Sequence, residues 1–94
     1  MAVARPLFFL GRLVATPGAL QALTVAREEP LAYLRRHVRG DWGDLSPEDR
    51  QANDAAVKVG ARVFSAYETG TGTRLWVITE ADRSSTCILL PEEY

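Results

Sequence analysis

Residues 62–90 hold three runs of strand-forming residues, Arg62–Glu68, Arg74–Glu80 and Thr86–Leu90, and this feature constrains the whole chain. Thr69-Gly70-Thr71-Gly72-Thr73, between the first two, is a hairpin-loop signature. Ala81-Asp82-Arg83-Ser84-Ser85 turns the chain again, and Pro91 stops the third run. The expected product is a three-stranded antiparallel meander. Such a sheet exposes apolar side chains unless another layer covers it, so the preceding residues must supply that layer.

They read as helices after one strand. Leu7–Ala15 has apolar residues on both parities, the pattern of a buried strand, with a bulge expected at Gly11. Thr16-Pro17 and Ser46-Pro47 each place a hydroxyl cap before a proline at the first helical position. Glu48 and Asp49 then face the positive end of the helix dipole. A helix from Thr16 runs to about Val25. A second opens at Pro30, repeats Leu31, Leu34 and Val38 on one stripe, and ends at Gly40. A third carries Ala52, Ala55, Ala56 and Val59 and stops at Gly60.

The fold class is therefore α+β, in the order β-α-α-α-β-β-β: an N-terminal strand, three helices, then the meander. The N-terminal strand is expected to join the sheet while the helices cover one side. Leu13, Leu20, Leu23, Leu34, Val59, Val63, Leu75, Val77, Ile88 and Leu90 form the expected core.

At 94 residues the chain is read as one domain, 1–94, large enough to fold without staples. Apolar residues make up 47% and charged residues 24%, near a globular average. Cys87 is the single cysteine and His37 the single histidine, so neither a disulfide nor a zinc cluster is expected. The apolar run Pro6–Leu10 is too short for a signal peptide or a membrane span. These readings give a cytoplasmic chain with no membrane contact, no metal and no cofactor.

Charge is divided along the chain. Residues 1–40 carry six arginines against two glutamates, and residues 41–94 carry five basic against ten acidic residues. The overall charge of −1 makes nucleic acid a weak class of partner.

Two segments are candidate binding sites. In Gly40-Asp41-Trp42-Gly43-Asp44 a tryptophan stands among acids, an arrangement suited to a basic protein surface, while the bulk of the ring favours its folding back to fill the gap between the second and third helices. In Thr79–Thr86, Glu80, Asp82 and Arg83 fall at a strand–turn–strand junction with four hydroxyls, suited to phosphate or acid–base work or to turn chemistry alone. The binding residues expected are Asp41, Trp42, Asp44, Glu80, Asp82 and Arg83. Cys87 lacks an activating partner in any motif and reads as a small core residue. No catalytic set is assigned, and the motifs of phosphate loops, nucleophile elbows and dinucleotide folds are absent.

The segments Leu10–Leu20, Gly40-Asp41-Trp42-Gly43 and Trp76–Ser84, with Leu89-Leu90-Pro91-Glu92-Glu93-Tyr94, resemble a family of small bacterial proteins borne on plasmids, integrative elements and phages. The likeness covers nearly the whole chain. The family has no established activity, so it contributes no catalytic residues. Some members are labelled methylase subunits of type I restriction systems, but 94 residues cannot hold the cofactor domain such an enzyme needs. The resemblance implies a mobile-element context. The expectation is a non-enzymatic interaction module with a host or plasmid protein as partner, an inhibitor of a host defence or nucleic-acid-processing complex being the narrower form of that reading. The alternative is an RNA-cutting toxin of the RelE and ParE type, to which the element order is similar. It would use His37, Arg35, Arg39 and Arg83.

Overall fold

A computed structural model describes residues 5–94. Strand β1 (Arg12–Ala15) leads into helices α1 (Pro17–Ala26), α2 (Pro30–Val38) and α3 (Pro47–Val59). Strands β2 (Val63–Glu68), β3 (Arg74–Thr79) and β4 (Ser85–Leu89) follow, and a 3-10 turn (Pro91–Glu93) ends the chain.

Both hydroxyl caps form. Thr16 Oγ1 accepts from the Ala19 amide at 3.2 Å, and Ser46 Oγ accepts from the Asp49 amide at 3.1 Å. Each cap satisfies a donor that the first helical turn would otherwise leave unpaired.

The sheet has four strands in the order β1-β4-β3-β2. The expected meander is present: β2 pairs antiparallel with β3 from Val63↔Thr79 to Glu68↔Arg74, and β3 pairs antiparallel with β4. The sheet as a whole is mixed, because β1 adds as a fourth strand, parallel to β4, with Arg12 beside Ser85 and Ala15 beside Ile88. The strand expected over Leu7–Ala15 is also shorter. Gly11 adopts φ +66°, and a Cβ there would lie 2.4 Å from the Arg83 carbonyl oxygen, so regular pairing starts only after it.

The helices cover one face of the sheet. Its inward residues Val63, Ser65, Tyr67, Leu75, Val77, Thr79, Thr86 and Ile88 are all 2% exposed or less. One core cluster joins Leu23, Tyr33 and Leu34 to Tyr67, Leu75, Val77 and Ile88, and a second joins Phe8, Trp42, Ala56 and Val63.

Of the expected core, Leu23, Leu34, Val63, Leu75, Val77 and Ile88 are buried, whereas Leu13, Leu20 and Val59 are surface residues and Leu90 is half-buried. The α3 face is set by Asn53 and Ala56 instead. Asn53 accepts from the Phe64 amide at 3.1 Å and donates to the Phe64 carbonyl at 2.6 Å, which turns Val59 outward. Among the described residues, no helix is long and apolar enough to cross a membrane.

Candidate functional site

The Asp41–Leu45 loop closes the outer edge of β2. Gly43 bridges to Ala66, the Ala66 amide donates to the Trp42 carbonyl, and the Asp44 amide donates to the Ala66 carbonyl. Gly43 is required there: its φ is +75°, and a Cβ would lie 2.0 Å from the Ala66 oxygen. Trp42 turns inward, 3% exposed, stacked on Phe8 and edge-on to His37. Its Nε1 donates to Asp54 Oδ1 at 3.0 Å.

The exposed aromatic ringed by acids is therefore corrected: the ring belongs to the core, since a large apolar surface is best removed from water. The acids around it are also engaged. Asp41 accepts from Arg36 Nε at 2.7 Å and from the Gly43 amide. The Arg36 hydrogen bond holds its carboxyl below the usual carboxylate range. Asp44 lies 4.0 Å from Arg74, both exposed.

The Thr79–Thr86 junction is built from turn chemistry. Asp82 Oδ1 accepts from the Ser84 amide at 3.0 Å, and the Ser84 hydrogen bonds keep its exposed carboxyl below the usual range. Arg83 is left-handed at φ +59°. Its Nη1 donates to the Ala61 carbonyl at 2.7 Å, its Nη2 to the Ala56 carbonyl at 3.4 Å, and the guanidinium lies 5.2 Å from the Phe8 ring centre. Arg83 thus clamps the C-terminal end of α3 rather than offering its charge to a ligand. Glu80 stays at the surface, 3.7 Å from Arg62.

His37 is fully buried, not part of a basic patch. Its Nδ1 lies 2.6 Å from Ser65 Oγ and its Nε2 lies 2.9 Å from Thr79 Oγ1. Thr79 Oγ1 is 2.6 Å from Thr86 Oγ1, and Thr86 donates to the Leu10 carbonyl. Thr86 has one hydroxyl proton and spends it on Leu10, so it accepts from Thr79. Thr79 then accepts from His37, which assigns the proton to Nε2 and leaves Nδ1 to accept from Ser65. Burial, with a smaller push from the Arg83 charge, lowers the His37 pKa to about 4. The part expected of His37 in the toxin reading is corrected accordingly: both of its ring nitrogens are occupied inside the core, while Arg35 and Arg39 are exposed. Cys87 is half-buried, and burial, then the Glu93 charge, raises its thiol pKa away from nucleophilic use.

The opposite sheet face, away from the helices, carries a group that the sequence reading did not single out. Phe64 of β2 and Trp76 of β3 project there and meet edge-on, with ring centres 5.1 Å apart. Tyr94 packs edge-on against Trp76 at 5.7 Å, and the Arg62 guanidinium lies 5.2 Å from the Tyr94 ring centre. With Ile78 these four line an open cavity of about 260 Å³.

Glu93 places Tyr94 in this group. It accepts from the Leu90 amide at 2.8 Å, from the Thr16 hydroxyl and, at 3.3 Å, from the Gly18 amide. The hydroxyl bond from Thr16 keeps its carboxyl below the usual range. Tyr94 is 69% exposed, while Phe64 and Trp76 are half-buried. The sequence signal was the shared outward parity of Phe64, Trp76 and Ile78 once the hairpin register is set. Of the six expected binding residues, Glu80 borders this cavity through Arg62. Asp41, Trp42, Asp82 and Arg83 are engaged elsewhere, and Asp44 lies at the surface beside Arg74.

Among the described residues, no group of three His, Cys, Asp or Glu side chains is placed to hold a metal ion. Compared with known proteins, the chain matches no family model, no curated protein and no solved structure.

Proposed function

We propose that this chain is a non-enzymatic interaction module that binds a partner protein on the open face of its sheet. The observation that carries this reading is the cavity lined by Arg62, Phe64, Trp76, Ile78 and Tyr94 on the face the helices leave uncovered. Tryptophan, tyrosine and arginine dominate the energetics of protein interfaces because each combines large contact area with a polar handle. The occupant is an apolar side chain of the partner seated among the aromatic rings, with polar contacts at the rim.

The rim favours protein over nucleic acid. Arg62, the charged residue in the cavity lining, stands beside Glu80, so the charge at the cavity is of both signs. A phosphate backbone needs a continuous basic track. The acidic loop expected to meet a basic partner keeps a supporting part through Asp44, and Glu80 of the strand–turn–strand junction joins it; both are exposed and can steer an approaching basic surface. The family resemblance directs the search to cytoplasmic complexes of the host, defence nucleases among them, and to proteins of the mobile element.

The test is recovery of tagged protein from producing cells, comparing the native chain with Tyr94→Ala and with Val59→Ala on α3. Both positions are exposed, so both variants keep the native melting curve. The expected result is a discrete protein partner lost with Tyr94→Ala and retained with Val59→Ala. Recovery unaffected by Tyr94→Ala, or recovery of nucleic acid in place of protein, overturns the proposal.

A further inference from the structure

The two edges of the sheet are treated differently. The β2 edge is closed by the Gly43 loop, whereas β1 forms the opposite edge. Along β1 the backbone alternates. The Arg12 and Thr16 amides donate to the Ser84 and Ile88 carbonyls, which turns the amide and carbonyl groups of Leu13 and Ala15 outward. Among the described residues no backbone group pairs with them. The side chains beside this edge are apolar: Leu13 is 55% exposed, Val14 44% and Phe9 83%. An unprotected apolar edge is a template for another strand, and proteins usually blunt such edges with charge or cover.

We infer that β1 is the pairing edge of a symmetric homodimer, in which two β1 strands run antiparallel and join two sheets into one of eight strands. Two-fold symmetry requires the antiparallel direction, since each strand must present the same groups to the other. The outward groups fix the register. Leu13 exchanges both backbone bonds with Ala15 of the second copy, and the reverse pair does the same, so Val14 meets Val14 on the axis as a non-hydrogen-bonded pair.

Charge selects a second copy over an unrelated strand. In this register Arg12 stands opposite Thr16 of the other chain, the residue whose hydroxyl is bonded to Glu93. Arg12 and Thr16 share the parity of Val14, so this contact forms on the open-face side, where the Pro91–Glu93 turn also packs against β3. Arg12 is exposed and, among the described residues, has no acidic partner within its own chain. The dimer gives it one, twice over, by symmetry. This edge is separate from the aromatic cavity on the sheet face.

The experiment is sedimentation of the full chain over a range of concentrations, with Val14→Lys, Val14→Glu and Arg12→Glu variants. Native protein is expected at twice the chain mass of 10.4 kDa. Val14→Lys sets two ammonium groups together on the axis, where cross-strand Cβ atoms lie about 4.5–5.5 Å apart, and yields monomer. Mixing Val14→Lys with Val14→Glu restores the dimer. Arg12→Glu, at an exposed position that does not bear on folding, weakens association at least tenfold. Native protein that stays monomeric at millimolar concentration overturns the inference. A dimer that survives both Val14→Lys and Arg12→Glu overturns it as well, by placing the contact elsewhere.

Discussion

His37 Nε2 lies 2.9 Å from Thr79 Oγ1, a bond that ties α2 to the centre of the sheet inside an otherwise apolar layer. It belongs to a chain of side-chain bonds from Ser65 through His37, Thr79 and Thr86 to the Leu10 carbonyl. No buried side-chain nitrogen or oxygen lacks a partner among the described residues. The network therefore joins the N-terminal segment, α2 and three strands with every group satisfied, the condition under which buried polarity adds definition to a core.

That histidine makes the fold sensitive to mild acid. Its pKa falls from the ordinary 6.5 to about 4 in the folded chain, so the unfolded chain binds its proton first. Stability is full above pH 6.5, falls as pH drops toward 4 and levels below it, with a loss of roughly 3 kcal/mol. Urea unfolding at pH 7 and pH 4.5 measures the loss. His37→Gln, which keeps a donor and an acceptor, lowers stability at neutral pH but flattens this part of the profile.

Trp42→Ala should unfold or severely weaken the domain, by about 3–5 kcal/mol, because the ring fills the space between Phe8 and His37. Asp54→Ala, which leaves the indole N–H without its carboxylate, should cost about 1–3 kcal/mol. Chemical denaturation of the two variants checks both, and a Trp42→Ala protein as stable as the native chain would return this residue to the surface.

Arg83→Ala removes the donors to the Ala61 and Ala56 carbonyls and should cost about 1.5–3 kcal/mol, the range for charged hydrogen bonds. Arg83→Lys recovers little of this, since an ammonium cannot span the two carbonyls as the planar fork does. Thermal melting separates the three proteins.

Gly43→Ala should open the edge of β2, because its Cβ would collide with the Ala66 carbonyl. Faster hydrogen exchange at the Asp44 and Ala66 amides, with the β3 amides still protected, is the expected signature.

The local elements were legible in the sequence because they obey local rules. Thr16-Pro17 and Ser46-Pro47 start helices where capping chemistry places them, and the threonine–glycine loop sets the β2–β3 register. The parallel pairing of β1 with β4 depends on residues more than 70 positions apart, which no period or turn residue records. The burial of His37 is hidden from the sequence for a related reason. Its buried face runs through Tyr33, Leu34 and His37, while Leu31 lies 50% exposed, so the apolar stripe described only part of the helix face. Only the sheet hydroxyls of Ser65 and Thr79 make that position habitable for an imidazole. Trp42 and the open-face aromatics were similarly ambiguous. The same residue types serve as core or as surface, and the β2-edge closure by Gly43 decides it for Trp42.

The most direct test of the partner site is photo-crosslinking from the sheet face. A benzoylphenylalanine in place of Tyr94 projects from the aromatic cavity, and the same group in place of Val59 projects from α3. Irradiation of producing cells should give a discrete adduct with a second protein from position 94 and none from position 59. No adduct from position 94, or the same adducts from both positions, would contradict a partner site on the open face.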